Sequence, residues 1–300
     1  MLKIAFNKFY AHSLPLGHRF PMEKYELLPQ QLLLEGTIEE NAFFSPGMIS
    51  QEHALSVHDE TYYNDLLNLK LDRKAQRKTG FIHNDDLIVR EQIIMEGTRE
   101  CAEYALKHGV SMNIAGGTHH SFTDRGEGFC LLNDQAIAAK WLLNTKKANK
   151  ILIIDLDVHQ GNGTAQIFQN TPEVFTFSMH GENNYPLKKE NSDLDVPLKD
   201  GIKDNDYIYL LEQSLDKILN IFTPDFLFFQ SGIDIIDTDK LGRLGVSIKG
   251  CKQRDEIVFK LAKELNLPIV ASMGGGYSKE IKYIIEAHAN TFRTAQYLYF

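Results

Sequence analysis

Cysteine is scarce in this 300-residue chain and is not used in pairs: Cys101, Cys130 and Cys251 make an odd count, with no Cys-x-x-Cys spacing. That excludes a disulfide framework and a cysteine-ligated zinc site, and it fits a reducing compartment, so a cytoplasmic location is expected. Positive charge is also in deficit, with 32 Lys and Arg against 40 Asp and Glu for a net charge of −8. No basic footprint for direct nucleic-acid binding exists, and an acidic body is expected to attract cationic substrates weakly. No apolar run approaches the ~18 residues of a membrane span. The start, MLKIAFNKFYAHSLP, lacks a charged lead followed by an apolar stretch, so no membrane partner is expected. Repeats, low-complexity segments and linkers are missing too. With 43% hydrophobic residues, the chain reads as one domain over 1–300.

What is present is a βαβ rhythm from about residue 86 onward. Helical spacing covers 86–108, with Gly109 as its stop before the short run VSMNIAG, and further helices are predicted over 133–144, 205–221 and 248–265. Between them lie strand candidates KILIIDLDVH (150–159), VFTFSM (174–179), DFLFFQSG (225–232) and PIVASM (268–273). The run ILII is apolar on both faces, as a central parallel strand covered on each side should be. The fold class is therefore α/β: a central, mostly parallel sheet with helices on both faces. The first 80 residues are less regular and are expected to form loops and short helices over one end of the sheet. Ligands of such sheets bind beyond the carboxyl ends of the strands, so the informative residues should follow each strand candidate.

They do. After ILII comes Asp155-Leu156-Asp157-Val158-His159, which on an extended segment places residues 155, 157 and 159 on one face. One strand along, SGID supplies Asp234. Asp157, His159 and Asp234 would give a metal three protein ligands and an open position, the arrangement of a catalytic zinc; the same donors also admit Fe2+, Mn2+ or Co2+. An Asp after a strand equally serves as a helix N-cap. The last strand candidate runs into Gly274-Gly275-Gly276-Tyr277, which either presents a hydroxyl at the site mouth or is a turn with a packed aromatic. At the end of the short run VSMNIAG begins GGTHHSF, whose neighbouring His119 and His120 would face opposite ways on an extended strand.

In combination and in order, the stretches LPLGHRFPMEKY, GGTHHSFTDRGEGFCLLND, IDLDVHQGNGT, FSMH with NNYP, SGID with LG, and GGGY resemble the zinc-dependent histone deacetylase family, of arginase-like fold, over nearly the whole chain. Gln160 and Asn162 stand where better-known classes carry His and Asp, a variation that looks most like the class IV branch and its bacterial relatives. The resemblance implies a single deacetylase-like catalytic domain using Zn2+ or Fe2+ held by Asp157, His159 and Asp234, with its active site at the carboxyl ends of the strands. It implies proton transfer by His119 and His120, the second as general base and acid, with Asp155 and Asn162 as their respective partners and Tyr277 as oxyanion donor. It sets Phe129, Tyr185, Gly128 and Gly275 against the substrate. A structural K+ is implied at Asp155, Asp157, His159, Ser178 and Met179. Cys130 reads as a small buried group, because an activated water removes the need for a thiol nucleophile.

The activity this implies is removal of acetyl or longer acyl groups from lysine in a protein or peptide. A small acylated amine such as an acetylpolyamine is the alternative substrate. A binuclear manganese ureohydrolase would need a further acid where Gly161 stands, and a non-catalytic acyl-lysine reader would have lost a site residue, yet none is missing.

Overall fold

The computed structural model describes residues 1–300 and contains an eight-stranded sheet. Its strands are β1 (Lys3–Ala5), β2 (Phe43–Phe44), β3 (Val110–Asn113), β4 (Ile151–Asp155), β5 (Val174–Gly181), β6 (Leu194–Leu198), β7 (Phe226–Gln230) and β8 (Ile269–Ser272). The order is β2-β1-β3-β8-β7-β4-β5-β6, and every pairing is parallel. Successive side chains of a strand point to opposite faces, and every residue of β3, β4, β7 and β8 is buried. Both faces of the sheet centre are therefore covered, which is what its unbroken apolar runs require.

The covering helices are α1 (Lys24–Leu34), α2 (Gln51–Leu55), α3 (Glu60–Leu67), α4 (Arg73–Thr79), α5 (Asp85–His108), α6 (Asp134–Asn144), α7 (Asn162–Phe168), α8 (Asp204–Ile221), α9 (Ile248–Glu264) and α10 (Ile281–Tyr299). The long α5 starts where the Asn84 side chain accepts the Leu87 amide hydrogen, carries Asp85 and Asp86 in its first turn and Lys107 and His108 in its last, and stops at Gly109 with φ +85°. Each of these terms favours the helix at that end. α5 packs on α6, and α9 packs between α8 and α10. One apolar cluster runs from Leu2 to Ala295, so there is a single core. No helix is long and apolar enough to cross a membrane.

Three strands escaped the sequence reading, two of them in the first 80 residues, where α1 to α4 are indeed short but β1 and β2 extend the sheet. β2 has two residues and β1 three, too few for any period to register. β6, LDVPL, contains a proline and only one buried position, as suits the outermost strand, where a missing amide hydrogen costs no ladder bond. The run predicted as a strand over 150–159 also ends early, at Asp155, so Asp157 and His159 lie in a loop rather than on an extended face.

Candidate active site at the strand ends

Beyond the carboxyl ends of β3, β4, β7 and β8 the chain brings together His119 and His120, Asp157 and His159, Asp234, and Tyr277. The segment GGTHHSF is not extended. Gly116 and Gly117 take φ values of +81° and +72°, and a turn follows at the histidines. As a result both imidazoles lie on one side, ring centroids 4.1 Å apart, instead of facing opposite ways. Side chains could not replace these glycines in any case: a Cβ at Gly116 would strike Asp134, and one at Gly117 would strike Gln230.

The two histidines have different partners. His119 Nδ1 lies 2.7 Å from Asp155 Oδ2, whereas His120 Nδ1 lies 2.7 Å from the amide oxygen of Asn162. Burial opposes charge on His119, but Asp155 and Asp157 outweigh it and raise its pKa to about 9. For His120, burial and the neighbouring His119 and His159 act in the same direction and hold the pKa well below the usual value, with Asn162 opposing only weakly. His120 is thus neutral. Its Nδ1–H donates to Asn162, and Nε2 is left with its lone pair.

Asp157, His159 and Asp234 are all buried, with one ligating atom from each lying within 4.8 Å of the others. Asp157 Oδ1 accepts from His159 Nδ1 at 3.0 Å and Oδ2 from the Gly275 amide at 2.9 Å. Asp234 is not a helix cap: its Oδ1 accepts the Val158 amide hydrogen at 2.9 Å. Although His159 Nδ1 is 3.1 Å from Asp234 Oδ2, its hydrogen is directed to Asp157, and Asp234 Oδ2 has no donor. An orphaned, buried carboxylate oxygen facing a second carboxylate and an imidazole fits a divalent cation. Burial and the Asp157 charge together push Asp234 up to about 7.

Gly275 is required here, since a Cβ would run into the Asp234 and Asp157 carboxylates. Tyr277 is buried, and burial together with the Asp234 and Asp157 charges keeps its hydroxyl protonated as a donor. It is at once packed and presented: its ring stands 5.9 Å from Phe129 and 6.5 Å from His159.

Phe129 and Tyr185 both border the mouth above His120, His159 and Tyr277. Tyr185 stands edge-on to His120 at 4.9 Å and donates its hydroxyl to Glu127 at 2.8 Å. Gly128 has φ +52°, and a Cβ there would lie 2.6 Å from His120 Cδ2. Cys130 is buried, and burial raises its thiol pKa, so it is no thiolate.

On the far side of β4, Ser178 is the register partner of Asp155 and its hydroxyl meets His180 Nδ1 at 3.0 Å; Met179 follows, buried. The Asp157 and His159 carbonyls accept no backbone hydrogen bond.

Several site residues carry no signal in the sequence. Lys24 is buried with its ammonium 3.1 Å from the Gly274 carbonyl and 5.8 Å from the Tyr277 ring, and burial lowers its pKa to about 8. Asp239 accepts the Tyr277 amide hydrogen and those of Leu241 and Gly242. Arg254, fully buried beside Asp255, donates to the Leu156, Gly232 and Ser231 carbonyls, tying together the loops that carry Asp157 and Asp234. Asp134 accepts from Thr118, Thr98 and Ser272 beneath the dyad. Lys24 and Asp134 fell within quoted motifs, LPLGHRFPMEKY and GGTHHSFTDRGEGFCLLND, and nothing there marked either as a support.

The family model described as "Histone deacetylase domain" matches residues 18–292. An uncharacterised protein of Picosynechococcus sp. is 38% identical over 99% of both chains. Histone deacetylase 2 of Arabidopsis thaliana is 30% identical over 89% of this chain and 72% of its own. Among solved structures, an HDAC homologue complexed with SAHA superposes with a TM-score of 0.83 at 25% identity, covering 98% of this chain and 84% of that one.

Proposed function

The chain belongs to the histone deacetylase domain family, and from that premise we propose that it is a metal-dependent amidohydrolase removing acetyl or longer acyl groups from lysine side chains. The observation that carries the reading is the unequal pair: a charged His119 on Asp155 and a neutral His120 on Asn162, beside three clustered ligand groups.

A Zn2+ ion, or Fe2+ with the same donors, held by Asp157, His159 and Asp234 would polarise the acyl carbonyl and lower the pKa of a water from about 15.7 toward about 7. His120 accepts the proton of the attacking water at Nε2, because Nδ1 is already committed to Asn162, and later delivers it to the leaving amine. Tyr277 donates its hydroxyl to the oxyanion that develops on the acyl oxygen. His119 keeps its proton and contributes positive potential. Phe129 and Tyr185 flank the aliphatic chain, Gly128 offers its carbonyl to the substrate, and Gly275 leaves room for it. K+ at the Asp155, Asp157, His159, Ser178 and Met179 positions would be structural. Asn162 and Gln160 support a place in the class IV branch, and residues 1–300 form its single catalytic domain.

The test is a panel of acyl-lysine peptides of increasing acyl length, with acetylpolyamines alongside, assayed on metal-reconstituted wild type and Tyr277→Phe. Wild type should hydrolyse at least one acyl-lysine peptide, and the variant should lose about 100- to 1000-fold in kcat with KM little changed. No turnover of any member, or equal turnover by the variant, would sink the mechanism.

A further inference from the structure

The acidic balance of the chain leads one to expect affinity for cationic substrates, but the mouth of the site has the opposite sign. A cavity of about 650 Å3 opening over His120, His159 and Tyr277 is bordered by Arg19, Arg77, Lys78 and Arg243 and by a single carboxylate, Glu127. Glu127 is already engaged by Arg125 at 3.1 Å, Lys78 at 3.2 Å and the Tyr185 hydroxyl at 2.8 Å. Arg243 has a partner in Asp200, 3.5 Å away. Arg19 and Arg77 have no carboxylate within ion-pair distance, and both are exposed. The Arg19 guanidinium lies 5.1 Å over the Phe129 ring, at the entrance of the slot, and Arg77 is steadied by donating its Nε–H to the Arg73 carbonyl at 3.2 Å.

We propose that this rim selects acyl-lysine peptides whose flanking residues are acidic and discriminates against acylated polyamines; the inference rests on the reading of the site as an acyl-lysine hydrolase. An acylated lysine side chain is neutral, so it crosses the rim without penalty while its neighbours lie against Arg19 and Arg77. Guanidinium groups without a partner are suited to bidentate pairing with Asp and Glu carboxylates. A polyamine keeps ammonium groups close to its acylated end and would hold them against like charge. The product lysine gains a positive charge on deacylation, so the same rim weakens product relative to substrate. The net charge of −8 does not cancel these effects, because charges beyond a Debye length of about 8 Å are screened while the rim is in contact.

The experiment compares two fluorescently labelled acetyl-lysine peptides of equal length, one flanked by Asp and Glu and the other by Lys, together with N-acetylspermidine as competitor. Binding to the metal-loaded enzyme is read by anisotropy and turnover by mass spectrometry. The acidic peptide should bind roughly tenfold or more tighter, by the scale of local electrostatic focusing. The advantage should shrink toward unity between about 50 and 500 mM salt. Arg19→Glu/Arg77→Glu should reverse the preference, and Arg77→Glu alone should reduce it should the double variant not fold. Equal affinity of the two peptides at low salt, or preference for the basic peptide or the polyamine, overturns the proposal. Hydrolysis of both peptides without a charge preference removes the rim assignment and leaves the deacylase reading standing. Charge-dependent binding that the variants invert, without hydrolysis of either peptide, does the reverse.

Discussion

Asn162 is the hydrogen-bond partner of His120 and leaves it neutral. Its amide oxygen accepts the Nδ1 hydrogen at 2.7 Å but carries no formal charge to stabilise an imidazolium, while burial and two neighbouring imidazoles work against protonation. Asn162→Asp would supply the missing charge and raise the His120 pKa. Because a general base must be neutral, the acidic limb of the kcat/KM profile should move to higher pH in the variant. Parallel pH–rate profiles of the two proteins decide the matter; a limb that stays in place rejects the assignment of His120 as the base. The neighbour Gln160 is of a different kind, since its side chain donates to the Glu190 carbonyl and to Asp195 and so fastens the loop after β4 rather than facing His120.

At the scale of elements, the dyad turn is attached to α6 through His58. Its Nδ1–H donates to the Phe122 carbonyl at 3.0 Å, and its Nε2 accepts the Asn133 amide hydrogen at 3.0 Å. Asn133 in turn caps α6 and donates to the Ser121 carbonyl. The bond accepted by Nε2 requires neutral imidazole, and burial outweighs the Phe122 carbonyl's pull toward charge, lowering the His58 pKa to about 4 against about 6.5 in an unfolded chain. The unfolded state therefore takes up a proton that the folded state refuses. Stability from this group is complete above about pH 6.5 and is lost as pH falls toward 4, by up to about 3 kcal/mol. Urea midpoints at pH 7.5 and pH 5 should show that loss in wild type. His58→Asn should be less stable at pH 7.5 yet lose less between the two pH values; an equal loss would remove His58 from the account.

For the whole molecule, the ligand cluster links strand ends that are far apart in sequence: Asp157 and His159 follow β4, and Asp234 follows β7. A cation bound there would bind the native state only, so its removal should cost stability by mass action. Metal analysis should find one divalent ion per chain at this cluster. Chelation should lower the melting temperature, and Asp234→Ala should abolish the chelator-dependent shift while leaving the far-UV circular dichroism unchanged. A variant that still shows the shift would place the metal elsewhere.

How far the sequence reaches can be judged from particular residues. The helices over 85–108, 134–144, 204–221 and 248–264 fall within one residue of their predicted bounds at either end, because amphipathic period and capping chemistry are local. Strands β1, β2 and β6 were not legible, being too short or too polar at the sheet edge for a period to register. The motif residues themselves, from His119 to Tyr277, stand in the chain in the order that carried the resemblance to the histone deacetylase family. What those residues face was decided elsewhere. That His119 and His120 share a side depends on two positive-φ glycines and a turn, that Asp234 binds the Val158 amide rather than capping a helix depends on β4 and β7 being adjacent, and that the Lys24 ammonium meets the Gly274 carbonyl joins positions 250 residues apart. Local chemistry is written in neighbouring residues and can be read from them, whereas the charge of a rim or the partner of a buried imidazole is set by contacts across the chain, which exist only once the sheet has closed.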